Sequence, residues 1–174
     1  NEIEIDDTKK EKYKQQGKNI VIVEDTVIAL GKMATYKRDL YGEKLKVIGV
    51  TGSVGKTTTK EFVASVVSQK YNTLATKGNF NNNIGVPYTL FGLSDEHSAA
   101  VIEMGMSGFE EISRMTKAVK PDVAVISNIG VSHIENLGSR EGILKAKLEI
   151  LHGMKADAPV VLNADDDMLK NADL

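Results

Sequence analysis

One junction constrains this chain more than any other. The uncharged run Val47-Ile48-Gly49-Val50 passes into Thr51-Gly52-Ser53-Val54-Gly55, and Lys56-Thr57-Thr58-Thr59 follows at once. An apolar, β-branched run, a glycine-bearing turn and a helix start make a strand–loop–helix unit, the building block of a sheet with helical crossovers. Glycines let the loop curl until successive amides and the helix N-terminus face one anion. In a loop of this type the lysine, Lys56, neutralises the outer phosphates of a nucleotide, and the hydroxyl of Thr57 ligates Mg²⁺. The spacing departs from G-x-x-x-x-G-K-[ST] at one place, because Val50 stands where the first glycine belongs and Gly49 comes one residue early. On spacing alone, a tight turn carrying an exposed lysine stays open as the alternative.

The rest of the chain repeats the unit. Strands are predicted at 45–50, 71–75, 99–103, 122–127 and 159–162, and helices at 56–68, 85–91, 109–119 and 139–151. Apolar strands alternating with helices of this length imply an α/β fold with a mostly parallel sheet flanked by helices. Before it, residues 1–17 are polar and Lys/Glu-rich, with Ile3 and Ile5 alternating against acidic neighbours. Ile20–Val23 is a short β-branched run, and Glu24-Asp25-Thr26 offers a start for a helix over 27–41. Gly42 ends that stretch, so a boundary is placed at residues 42–44.

Composition removes several classes of function. With 22 Lys+Arg against 24 Asp+Glu in 174 residues, the net charge of -2 gives no footprint for nucleic acid or an anionic membrane. The absence of cysteine excludes disulfides, thiolate metal sites and thiol catalysis. No apolar run nears the ~20 residues of a membrane helix, and no signal peptide opens the chain, so a cytoplasmic location is expected. A start at Asn1 and a stop just after a strand-like run lead us to expect a piece of something longer.

In an open parallel sheet, ligands bind at the carboxyl ends of the strands. Glu103 ends the run Ala99–Ile102, and Asn128 and His133 lie just beyond Val123–Ile126. A carboxylate there suits a hard cation. His133 reads equally as a ligand or as a hydrogen-bonding residue. In the helix over 139–151, Lys147 falls on the apolar stripe of Ile143 and Leu151, while Lys145 points away. A core-facing lysine either snorkels or pairs with a carboxylate such as Glu149 or Glu103, or it has a chemical role. The cluster Asn79 to Asn83 reads as a turn with amide donors, and Asp165-Asp166-Asp167 as a solvated loop in preference to a metal site.

Several motifs stand in order: Thr51 to Thr59, Gly78-Asn79-Phe80-Asn81-Asn82, Ile84-Gly85-Val86-Pro87, Glu103-Met104-Gly105, Lys120-Pro121-Asp122-Val123, Asn128-Ile129-Gly130, His133 with Glu135, Ala146-Lys147 and Asn163-Ala164-Asp165. Together they resemble the Mur ligases of peptidoglycan synthesis. The Asn-Phe-Asn-Asn loop and Glu-Met-Gly point to the branch that adds D-Ala-D-Ala to UDP-MurNAc-tripeptide. The resemblance implies a P-loop NTPase-like central domain, incomplete here. Residues 1–42 would be the tail of an N-terminal UDP-sugar domain, residues 43–174 the leading part of the ATP-binding domain, and the C-terminal domain would be absent. It implies ATP-driven amide formation through an acyl phosphate, by a monomer without nucleic acid or membrane insertion, and no ligation by this piece alone. Thr51, Gly52, Ser53, Val54, Gly55, Lys56, Thr57 and Thr58 would hold the nucleotide, with Asn82 and Asn83 at its phosphates or metal. Thr57 and Glu103 would hold one Mg²⁺. His133 would stand at a second Mg²⁺, supported by Lys147 as a carbamate. Glu110 departs from the family pattern, which more often has Gly there. The rivals are another Mur ligase, a folylpolyglutamate synthase, or a nucleotide-binding module without ligase chemistry.

Overall fold

Five strands pair in parallel throughout, in the order β2-β3-β1-β4-β5. The computed structural model describes residues 6–173; the alternation of Ile3 and Ile5, and Leu174, lie outside the described residues. In chain order the elements are α1 (Asp7–Gln15), α2 (Thr26–Asp39), β1 (Lys46–Thr51), α3 (Lys56–Val67), β2 (Thr73–Ala75) and α4 (Gly85–Phe91). Then come β3 (Ala99–Glu103), α5 (Glu111–Val119), β4 (Val123–Ile126), α6 (Ile134–Leu137), α7 (Arg140–Leu148) and β5 (Val160–Leu162). The α/β class and the parallel sheet expected from the apolar runs are present.

Right-handed crossovers explain the layers. The step from β1 to β2 runs towards one edge, and every later step runs towards the other. Helix α3 therefore lies on one face, over a small cluster of Ile48, Val50, Ala64 and Val101. Helices α4, α5 and α7 cover the opposite face, where Val47, Ile102 and Ala124 meet Leu90, Ile112 and Ile143 in the main core. Strand order reverses about β1, which has β3 on one side and β4 on the other. The loops leaving β1, β3 and β4 thus share the middle of the carboxyl edge, where an open sheet binds its ligand.

Helix α2 starts where Asp25 accepts the amides of Val27 and Ile28, at 2.7 and 2.9 Å. It packs on α4 and α5. Its buried Arg38 donates to the carbonyls of Val119 (3.1 Å) and Gly42 (3.0 Å), so the segment before the 3-10 turn Gly42–Lys44 is fastened to the end of α5. One expectation needs adjusting, and two segments for which no element was predicted take a definite form. Ile20–Val23 forms no strand, and Val21 and Ile22 are exposed. The helix expected over 139–151 stops at Leu148 and tightens into the 3-10 turn Glu149–Gly153. The polar segment Asp7–Gln15 is helical although it buries none of its residues. No helix among the described residues is long and apolar enough to cross a membrane.

Candidate nucleotide site

The loop after β1 is shaped by what it must avoid and what it must offer. Gly52 has φ +150°, and a Cβ there would stand 2.0 Å from the Ser127 Oγ, so only glycine lets the two loops meet. Thr51 is buried and donates its hydroxyl to the Met104 carbonyl at 2.7 Å, locking β1 to the loop after β3. The amide of Ser53 donates to the Asn128 carbonyl (3.0 Å) and the amide of Val54 to the Asn128 Oδ1 (3.0 Å). Those two amides are therefore engaged by the loop after β4. The amides of Gly55, Lys56, Thr57 and Thr58 donate to no acceptor among the described residues and open the helix N-terminus. Thr57 and Thr58 are exposed beside them. This is a place for an anion. Val50, at the irregular motif position, is a buried strand residue, and the bend falls on Gly52 instead.

Lys56 folds back so that its ammonium donates to the Ser53 carbonyl at 3.1 Å. Burial pushes its pKa down, and the charge of Glu103 pulls it back up. Glu103 itself is only 1% exposed. Its Oε1 accepts from the Asn81 amide at 2.7 Å, whereas Oε2 is buried with no hydrogen-bond partner among the described residues. An orphaned carboxylate oxygen in a native interior calls for a ligand. A hard divalent cation fits it, since such ions take carboxylate, hydroxyl and phosphate oxygens together.

Lys147 is 2% exposed, and its pKa is lowered to about 7. Burial is the main cause, the Lys56 charge adds to it, and Glu111 opposes both. Lys56 and Lys147 thus feel each other across the site. Neither carboxylate considered from the sequence pairs with Lys147 among the described residues. Glu149 instead accepts the amides of Glu110 (2.8 Å) and Ser113 (3.1 Å) at the start of α5.

The three consecutive asparagines that close the loop before α4, residues 81–83, diverge. Asn81 reaches Glu103, as described. Asn82 turns its Oδ1 onto the amides of Ile84 (3.1 Å) and Gly85 (2.8 Å), capping α4 from an exposed position. Asn83 lines a depression between α2 and α5 with Lys32, Thr35 and Arg114. His133 is exposed, with φ +65° at the start of α6, and its ring makes no hydrogen bond among the described residues. Its loop is held near the site because Asn136 donates to the Ser107 carbonyl at 3.0 Å. The acidic run is a brace. Asp166 accepts the amides of Ile129 (2.8 Å), Met168 (3.0 Å) and Leu169 (2.9 Å), and Asp167 takes Arg140 in a two-pronged pair at 2.6 and 2.8 Å.

The geometry therefore gathers the open amides, Lys56, Glu103 and Lys147, and leaves the side chains of Asn82, Asn83 and His133 engaged elsewhere or facing solvent. Sequence reasoning passed over Asn81 and Glu111. Gly105 could have pointed to Asn81: its amide donates to the Asn81 carbonyl at 2.7 Å, and a Cβ on it would lie 3.1 Å from the Asn81 side chain.

Comparison with known proteins adds to this geometry. Residues 50–173 match the family described as the Mur ligase middle domain. The UDP-N-acetylmuramoyl-tripeptide–D-alanyl-D-alanine ligase of Bacillus subtilis is 46% identical over 154 residues, covering 88% of this chain and 33% of that protein. A crystal structure of MurF from Acinetobacter baumannii superposes with a TM-score of 0.82 at 43% identity, over 86% of this chain and 33% of the other. MurF from Thermotoga maritima, solved in complex with ADP, gives 0.78 at 36% identity, over 88% and 36%. The chain spans about a third of the length of the relatives it matches.

Proposed function

Since this chain belongs to the Mur ligase family through its middle domain, we propose that it forms the nucleotide-binding part of an ATP-dependent ligase that joins D-Ala-D-Ala to UDP-MurNAc-tripeptide. The observation that carries the reading is the orphaned Glu103 Oε2 beside Lys56 and an open helix N-terminus, a site built for phosphates and a cation together. The terminal carboxylate of the tripeptide attacks the γ-phosphate, giving an acyl phosphate and ADP. The amine of D-Ala-D-Ala then displaces inorganic phosphate and releases a proton. Two anions must meet, so catalysis rests on neutralising charge and on positioning. The amides of Gly55 to Thr58 and the Lys56 ammonium hold the phosphates, and the Thr57 hydroxyl with Glu103 Oε2 would hold Mg²⁺. When bound, that ion neutralises charge between the reacting oxygens.

Lys147 has a second chemistry open to it. With a pKa of about 7, much of it is a neutral amine near neutral pH, and a neutral amine adds CO₂ to give a carbamate and one proton. The product is an anion near Lys56, and it would support a second Mg²⁺ to which His133 would have to turn in from its solvent-facing position. A ¹³C resonance from ¹³CO₂ at the carbamate position, absent in Lys147→Met, is the expected result; a spectrum that is the same in both proteins overturns this step. We also assign residues 1–42 to the tail of a UDP-sugar domain and residues 43–174 to the leading part of the ATP-binding domain, in a cytoplasmic monomer.

The test of the whole reading follows phosphate release from MgATP by the protein as its cell makes it, with each substrate omitted in turn, and weighs the product. Release that needs both UDP-MurNAc-tripeptide and D-Ala-D-Ala supports the reading. Turnover on a folate with glutamate, or on an earlier muramyl precursor, keeps the chemistry and overturns the substrates. Hydrolysis without any amide product overturns ligation.

A further inference from the structure

The sequence placed Asn128 at the carboxyl edge of the sheet, and the site as assigned above gives its side chain no role. Its carboxamide faces Val54 at the tip of the phosphate loop. Oδ1 accepts the Val54 amide at 3.0 Å, and Nδ2 donates to the Val54 carbonyl at 3.0 Å. The same carbonyl also accepts from the Ser127 hydroxyl at 2.9 Å. Next to it, the Ser53 amide donates to the Asn128 carbonyl at 3.0 Å, and the Gly130 amide to the Ser53 Oγ at 2.9 Å. Residues 53 and 54 are thus knitted to residues 127–130. The close approach is possible because Gly52 and Gly130 have no side chains: a Cβ on Gly130 would stand 3.3 Å from that of Ser53.

We propose that Asn128 is a positioning residue for the phosphate loop: by holding both the N–H and the C=O of Val54, it sets the turn in which the amides of Gly55 to Thr58 face an anion. The proposal rests on reading that loop as the nucleotide's phosphate site. A carboxamide offers donor and acceptor together, as a peptide group does, so it can replace the strand neighbour that the loop lacks. The loop needs such a partner. Gly52 and Gly55 both have positive φ, at +150° and +74°, and glycines leave a free loop many other conformations. Fixing the turn before the ligand arrives removes an ordering cost from binding. The clasp also makes the phosphate loop and the loop bearing His133 one unit. The second loop is anchored in turn where Asp166 accepts the Ile129 amide and Arg140 donates to the Ile129 carbonyl, both at 2.8 Å.

The test uses Asn128→Ala and Asn128→Asp in the intact protein, with three readouts: the dissociation constant for ATP, melting without nucleotide, and amide exchange at Ser53, Val54 and Gly55. Asn128→Asp keeps the acceptor for the Val54 amide and removes the donor to its carbonyl, and it serves should the alanine variant fail to fold. Loss of the two modest hydrogen bonds in Asn128→Ala corresponds to about a tenfold change, whereas Asn128→Asp loses one of them and adds a charge that repels phosphate, so it is judged by exchange at Val54 without nucleotide. The expected result is therefore ATP binding weaker by about tenfold, only a small loss in melting temperature, and faster exchange at Val54 while β1 and α3 keep their protection. A variant that binds ATP as the parent does overturns the proposal. So does a parent in which Val54 exchanges as fast as Gly55, or a loss of affinity that only tracks a loss of melting temperature. A parent that binds no ATP, with Val54 nonetheless protected, overturns the phosphate-site reading and the positioning role with it, while leaving the clasp itself intact.

Discussion

Lys147 is buried where a charge is costly and lies near a second ammonium, so the folded protein holds its proton weakly. The unfolded chain binds that proton up to the ordinary lysine value of 10.5, whereas the folded chain releases it above about 7. Between those values the unfolded state binds more protons, so stability rises with pH across that window and is flat below it. The difference in unfolding free energy between the parent and Lys147→Met, in CO₂-free buffer, should shift in favour of the parent from pH 7 to pH 9. The slope is bounded at about 1.4 kcal/mol per pH unit for one proton. A difference independent of pH would show that the amine is charged in the folded state. Glu110 gives a second prediction at this scale. It has φ +64°, a conformation costing a side-chain-bearing residue about 1–2 kcal/mol. Glu110→Gly removes that strain while giving the unfolded chain more freedom, so a net gain of about 0.5–1 kcal/mol is expected in urea unfolding. Glycine, which the resemblance led us to expect before Glu111, is the residue that this backbone favours.

At the scale of elements, the start of α5 is held from a distance. Glu149 spans the N-terminus with both oxygens, on Glu110 and Ser113, and is itself 4% exposed. Glu149→Ala leaves those amides without their acceptor and removes a negative charge from the positive end of the helix, so a loss of about 2–4 kcal/mol is expected in thermal or chemical unfolding. Glu149→Gln should recover part of it. The sequence placed a helix over 109–119, close to α5, but for Glu149 it offered only Lys147 as one possible partner. Periodicity reports which side of a helix a residue takes and says nothing of whether a neighbouring helix end competes for its oxygens. The same limit explains the asparagine loop. Adjacent residues of one type look equivalent in sequence, yet Asn81, Asn82 and Asn83 meet a carboxylate, a helix end and a surface depression. Helix α7 stops early for a similar reason. The Thr116 hydroxyl takes the Ile150 carbonyl at 2.7 Å, and a Cβ on Gly153 would stand 2.2 Å from the Thr116 carbonyl, so the chain turns tightly against α5. The fold class, by contrast, was legible throughout, because short apolar runs alternate with segments of helix length from β1 to β5.

For the whole molecule, strand order explains why distant residues converge. With β1 central and β3 and β4 beside it, Lys56, Glu103 and Asn128 approach one point because each follows or ends a neighbouring strand. The site is therefore a property of the folded sheet and should not survive its unfolding, so a ligand that binds there stabilises the native state by mass action. MgATP at about 100 times its dissociation constant should add about 2.7 kcal/mol to the unfolding free energy, read as a rise in melting temperature. Two substitutions separate the contributions. Lys56→Ala removes the ammonium and should abolish most of the shift with or without metal. Glu103→Gln removes the orphaned oxygen's charge, so it should abolish the extra shift that Mg²⁺ gives over ATP alone and spare the rest. If Glu103→Gln instead behaves as the parent does with Mg²⁺, the cation lies elsewhere, and the lone Oε2 would need another partner.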